Sequence, residues 1–257
     1  MTESLKLSWH VVVRNWVVYK KDFLANISPT VADPAFILLA LGFGLGPFIH
    51  EIEGMSYPRF LAPGLVATTA LFTAFFECSY GFYVRLTFES VFKAMLTTPI
   101  GPKEVLIGEF LWVFLKGALM AFGVGLVLTV FGLVPNWPTS LILFPLIGGL
   151  LAVPCGAMGL IAASYVRNIN QFQTVYSFLI APIYFLSGTF FPVATASPWF
   201  AALIQISPFY HGVRLMQMTA WGSGDFKSVA YHLAALAVFA LVLGLWAVRG
   251  IRRKLVN

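Results

Sequence analysis

Glu77, Glu109 and Lys116 are ionisable residues set within long apolar runs. Such groups are costly in a bilayer and are the first places to look for function. If the runs are helices, Glu77 lies eight residues above Arg85, and Lys116 lies eight above Gly108 in the next run. That places the two at similar depth in neighbouring antiparallel helices. We expect Glu77 and Lys116 to pair, with Glu109 a nearer-interface alternative for Lys116. The competing reading is that each charge snorkels or is solvated in a cavity. Two polar and aromatic stripes accompany them: Thr68, Phe72, Phe76, Ser79 and Tyr83 in one run, and Gln173, Ser177, Tyr184 and Ser187 in another. These faces suit a path for a partly apolar cargo, although hydroxyl groups in membrane helices also bond neighbouring helices.

The residue patterns of enzymes are missing. There is no HExxH, no GxSxG and no pair of CxxC motifs, and His10, His50, His211 and His232 are dispersed among different segments. Cys78 and Cys155 both fall in apolar runs without metal-ligand spacing, so neither a metal site nor a disulfide framework is expected. No Gly-Lys dipeptide occurs, which excludes a Walker A loop. The chain should hold no cofactor, and any ATP and magnesium that drive it must be bound by a separate subunit.

The elements that position these residues belong to a membrane. Of 257 residues, 59% are hydrophobic and only 10% charged, with a mean hydropathy of +0.86. An ordinary soluble domain is about a quarter charged. The net charge of +6 is spread over loops and tails instead of one dense patch, which argues against a nucleic-acid partner. The amino terminus lacks the compact apolar core of a secretory signal, since Trp9, His10, Arg14, Lys20 and Lys21 interrupt it.

Residues 4 to 24 carry Leu5, Trp9, Val12, Trp16, Tyr19 and Phe23 on one helical face and Lys6, His10, Arg14 and Lys21 largely on the other. A basic helix with Trp on its apolar side fits the plane of a membrane interface, alone or docked on the protein's own core. Six runs are then long enough to span: 31 to 49, 60 to 84, 105 to 134, 140 to 166, 172 to 191 and 229 to 248. The third and fourth are joined by the tight turn 135–139 and should form a hairpin. Stripes of small residues, Gly117, Ala121 and Gly125 against Gly148, Ala152 and Gly156, read as packing within one subunit.

Six spans put both termini on one side. With that side inside, most Lys and Arg residues are cytoplasmic, and only Arg59, Arg214 and Lys227 lie outside. Between spans 5 and 6, Gly188, Pro192, Pro198 and Pro208 break an apolar segment too short to cross, which suggests short helices dipping in from the outer side. On the inner side, Phe88, Val91, Phe92, Met95 and Leu96 recur at helical spacing until Thr97-Thr98-Pro99 stops them.

This layout resembles a type-2 ATP-binding cassette exporter permease, most closely the nodulation protein J and daunorubicin-exporter permease group. The resemblance rests on DPAFILLALGFGLG at span 1, FKAMLTTPIGPKEVLIGE after span 2 and LSGTFFPVATASPWFAALIQISPFYHGVRL after span 5. It covers nearly the whole chain. It implies a single all-α polytopic permease domain over 1–257. An interfacial helix occupies 1–30, spans 1 to 5 occupy 31–191 with a coupling helix at 86–99, outer re-entrant helices occupy 192–227, and span 6 with a basic tail occupies 228–257.

The resemblance further implies two permease chains, here a homodimer, with two copies of a separate ABC ATPase subunit in a bacterial inner membrane. Phe88, Glu89, Phe92, Lys93, Met95, Leu96, Thr98 and Pro99 would form the ATPase contact, and Pro208 with Arg214 would match the outer motif. The run Glu89 to Lys93 departs from the more acidic, Leu-rich pattern of many relatives. The expected function is non-enzymatic export of an amphipathic or lipid-linked cargo such as a lipo-oligosaccharide, polysaccharide or hydrophobic drug. The alternative is a channel or membrane scaffold without pumping.

Overall fold

A computed structural model describes residues 2–49 and 51–256; His50 lies outside them. Helix α1 (Thr2–Lys21) is followed by α2 (Phe23–Phe48), whose second half passes through a π-helical stretch, Leu38–Leu45. Next come α3 (Tyr57–Thr87), with a π-turn at Glu77–Gly81, and the short α4 (Val91–Leu96). The hairpin α5 (Pro102–Val130) and α6 (Trp137–Tyr165) follows. Helix α7 covers 171–185 and includes a π-turn at Tyr176–Ile180. The chain ends with α8 (Pro198–Gln205), α9 (Pro208–Trp221) and α10 (Phe226–Val256). No strand occurs among the described residues, as expected where the surroundings offer the backbone no hydrogen bonds and each segment must satisfy its own.

Proline in the first turn starts α3, α5, α6, α8 and α9, where its missing N–H leaves no intrahelical bond unmade. Among the described residues, five helices are long and apolar enough to cross a membrane: α2, α3, α5, α6 and α10. The fifth predicted run is shorter than its hydropathy suggests. Its helix stops at Phe185. Fifteen residues rise about 22 Å, less than the ~30 Å hydrocarbon layer. The chain then turns through Gly188, whose φ of +80 favours glycine.

Helix α3 is the axis of the bundle. In its most apolar window 78% of residues are buried, against 17% for α2 and α10, which form the periphery. The hairpin packs tightly because of its small residues. A Cβ on Gly117 would meet that of Ala152 at 2.5 Å, and one on Gly148 would meet that of Ala121 at 2.4 Å. The small-residue stripes thus serve packing within the chain.

Helix α1 is docked and also partly bare. Ser8, Val11, Val12, Asn15 and Tyr19 are buried, while Leu5, Trp9 and Trp16 stay exposed on an adjoining face. The docking depends on Gly108 of α5, where a Cβ would stand 2.5 Å from Val11 Cβ and 2.8 Å from the Ser8 carbonyl oxygen. The Ser4 hydroxyl donates to Glu104 at 2.7 Å and fixes the other end.

Candidate functional site

The element predicted as one helix over 86–99 is broken. Helix α3 runs on to Thr87, and Ser90 then takes a left-handed conformation (φ +53) before α4 begins. Phe92, expected to face a partner, is turned inward: it is 1% exposed and its ring lies 4.6 Å from that of Phe82. Met95 and Leu96 are half-buried. The free face consists of Phe88, which is 66% exposed, with Glu89, Lys93, Thr98 and Pro99. Thr98 closes the helix by donating to the Met95 carbonyl at 2.6 Å. The amphipathic pattern therefore has its aromatic anchor in the chain's own core and leaves a mixed surface outward.

Behind α4 lies a buried charge network. Lys116 Nζ stands 2.6 Å from Glu77 Oε2, and its ammonium also sits 4.9 Å from the centre of the Tyr19 ring. Glu109 takes no part in holding Lys116. It is fully buried and receives two parallel bonds from Arg85, Nη2 to Oε2 at 2.8 Å and Nη1 to Oε1 at 3.1 Å. Arg85 Nη2 lies a further 3.2 Å from Glu77 Oε1, so one guanidinium joins both carboxylates. Asn15 of α1 completes the cluster, donating to Glu109 at 3.1 Å and accepting from Arg85 at 3.1 Å and Arg14 at 3.0 Å. Arg85 also donates to the Gly81 carbonyl at 3.2 Å, a backbone acceptor in the π-turn. The two carboxylates are matched by Arg85 and Lys116, which is what allows these four charges to share a low-dielectric interior, and Arg14 adds a half-buried third cation through Asn15.

Above this network opens a cleft of about 570 Å³. Thr68, Thr69, Phe72, Thr73, Phe76, Glu77 and Tyr80 of α3 line it, with Asp33 of α2, Lys116 of α5 and Tyr176 of α7. Its aromatic wall is a continuous stack: Phe72 and Phe76 are 6.1 Å apart, and Phe76 and Tyr176 5.8 Å.

The predicted stripes are only partly reunited here. Thr68, Phe72 and Phe76 line the cleft. Ser79 and Tyr83 are buried elsewhere, with the Tyr83 hydroxyl donating to the Arg167 carbonyl at 2.9 Å. Gln173 and Ser177 are exposed and do not line the cleft, and Ser187 bonds the Tyr184 carbonyl at 2.7 Å. The cause is the pair of π-turns. Each inserts an additional residue into a helical turn and rotates everything beyond it by roughly 100°, so a stripe drawn for a straight helix splits. The same rotation brings Glu77 and Arg85 onto one face. Asp33, Tyr80 and Tyr176 were missed for this reason, or because a lone acid in an apolar run carries no spacing signal.

At the opposite end, Pro208 starts α9, and Arg214 donates to Gln217 at 2.9 Å. Gln217 donates in turn to the Gly188 carbonyl at 3.1 Å, bracing the turn after α7. Two of the scattered histidines meet there, with His211 Nδ1 2.8 Å from His232 Nδ1. No group of three or more metal-ligating side chains occurs among the described residues.

The profile of the family described as ABC-2 type transporter matches residues 6–221. The chain is 30% identical over 252 residues to nodulation protein J of Rhizobium leguminosarum bv. viciae, covering 98% of this chain and 96% of that protein. It is 32% identical over 238 residues to nodulation protein J of Azorhizobium caulinodans, covering 92% and 89%. It is also similar to the inner membrane transport permease YadH of Escherichia coli, 23% identical over 260 residues and covering 97% of both.

Proposed function

Because the chain belongs to the ABC-2 type transporter family, whose members work as membrane permeases with an ABC ATPase subunit, we propose that it is the membrane half of an ATP-driven exporter. Its cargo is amphipathic or lipid-linked, and it passes outward through the cleft bordered by α2, α3 and α7. The observation that carries this reading is the cleft itself, in which threonine oxygens, an ion pair and an aromatic stack share one wall. Such a surface serves a molecule with a polar head and an apolar body.

In this reading α7 completes a sixth span with the chain that follows it, α8 and α9 form the outer re-entrant segment, and both termini are cytoplasmic. Two permease chains and two ATPase subunits assemble in a bacterial inner membrane. The exposed face of Phe88, Glu89, Lys93, Thr98 and Pro99 meets the ATPase. Closure of the ATPase would press on α4, which reaches the cleft through Phe92, Phe82 and Arg85, the last with its guanidinium carbon 5.8 Å from the Phe92 ring centre.

Affinity purification from the native host tests the assembly. An ABC ATPase should be recovered in equal amount with this chain and be lost from a Phe88→Asp variant. A chain recovered without any ATPase, conducting solutes at the same rate with or without ATP, would favour the channel reading.

A further inference from the structure

We propose that the cleft recognises a cationic head: its ligand is an amphiphile bearing an ammonium group, held by Asp33 and the ring faces of Phe72, Phe76 and Tyr176. This deepens the cargo-path reading and rests on it. Four observations converge on that chemistry.

Among the described residues, the acids beside the cleft each have a cation within ion-pairing distance except one. Glu77 is paired with Lys116, and Glu109 with Arg85. Asp33 has no cation within ion-pairing distance among the described residues. It is exposed on α2 and lines the cleft beside the aromatic rings of Phe72, Phe76 and Tyr176. A bare carboxylate beside apolar rings calls for water or a cation next to it.

Two lining hydroxyls and the ring faces favour a cation as well. Thr68 and Thr69 donate their hydroxyl hydrogens to the Gly64 and Val66 carbonyls, each at 2.8 Å, so their oxygens keep only lone pairs to offer. Ring faces attract ammonium groups and repel anions. Among the described residues the one lining cation, Lys116, is held by Glu77 and sits over Tyr19. An anionic head would meet Asp33 with no unpaired cation among the described lining residues to compensate it, whereas an ammonium finds a carboxylate, acceptor oxygens and π-faces together.

The test uses the purified full chain in uncharged maltoside micelles with three photoreactive probes of one alkyl tail, ending in an amine, an alcohol or a sulfate. Labelled residues are mapped by mass spectrometry. We expect amine labelling at the cleft to exceed sulfate labelling by about tenfold. Asp33→Asn should bring the amine down to the level of the alcohol, and Asp33→Glu should restore it, which separates loss of charge from loss of fold. Equal labelling by amine and sulfate, labelling confined to other surfaces, or an amine preference that survives Asp33→Asn would each overturn the proposal. So would coupling of Asp33 to a lysine of a second copy with no amine labelling. The readout needs no ATPase, so failure of ATP-driven transport would overturn the exporter reading and leave this binding result intact.

Discussion

Arg85 of α3 and Glu109 of α5 face each other through two parallel hydrogen bonds of 2.8 and 3.1 Å, with the glutamate fully buried. Asn15 of α1 bonds both partners, so three helices meet at one guanidinium. Removing one member strands the other's charge in the interior. Glu109→Ala should destabilise the protein by about 3–5 kcal/mol, while the apolar pair Arg85→Met with Glu109→Met should cost far less. Thermal unfolding in detergent reads the difference, and equal losses would place the cost in packing instead of charge.

The two aromatic residues flanking Ser90 should behave oppositely. Phe88→Asp replaces an exposed ring and should weaken ATPase association while leaving the melting temperature within about a degree or two. Phe92→Ala empties a buried site against Phe82 and should cost about 3–5 kcal/mol of stability. Co-purification and thermal melts on both variants check the assignment.

Gly108 controls the seat of α1. A methyl group there would collide with Val11 and the Ser8 backbone, so Gly108→Ala should cost about 1–3 kcal/mol. It should also lift α1 enough to change the emission of Trp16, which lies edge-on to Trp112 at 6.4 Å. Unchanged emission would mean that the helix accommodates the methyl group without moving.

The histidine contact fixes its own proton positions. His211 Nε2 bonds the Gln205 carbonyl at 3.0 Å and must donate, so His211 Nδ1 accepts from His232. Burial holds the His211 pKa below its ordinary value of 6.5. The stability of the neutral pair is then fully present above about pH 6.5 and lost as the pH falls below it, because the unfolded chain takes up the proton first. Melting temperatures measured from about pH 8 to 5 should fall for the wild type and fall less for His211→Asn.

Much of the scaffold was legible in the sequence, because hydropathy and proline placement follow directly from what a bilayer demands of a backbone. The Glu77–Lys116 contact could be anticipated by counting residues from the inner ends of two runs, since depth along a helix is linear in residue number. Arg85 could not be placed by the same means. Its position facing Glu77 depends on a π-turn, and no residue type in Glu77–Gly81 announces one. Phe92 and Phe88 look alike as periodic apolar residues, and only the break at Ser90 decides which is inside. The meeting of His211 and His232, twenty-one residues apart, follows from how α9 folds back on α10.

Uptake into inside-out vesicles containing this chain and its ATPase separates ATP-driven export from passive conduction and so decides the exporter reading. The wild type should accumulate an amphipathic cargo in an ATP-dependent manner. Transport should fall by about tenfold or more when Phe76→Ala opens the aromatic stack or Phe72→Lys places a positive charge in it. Accumulation that proceeds without ATP, or that is unaltered by both substitutions, would contradict that reading.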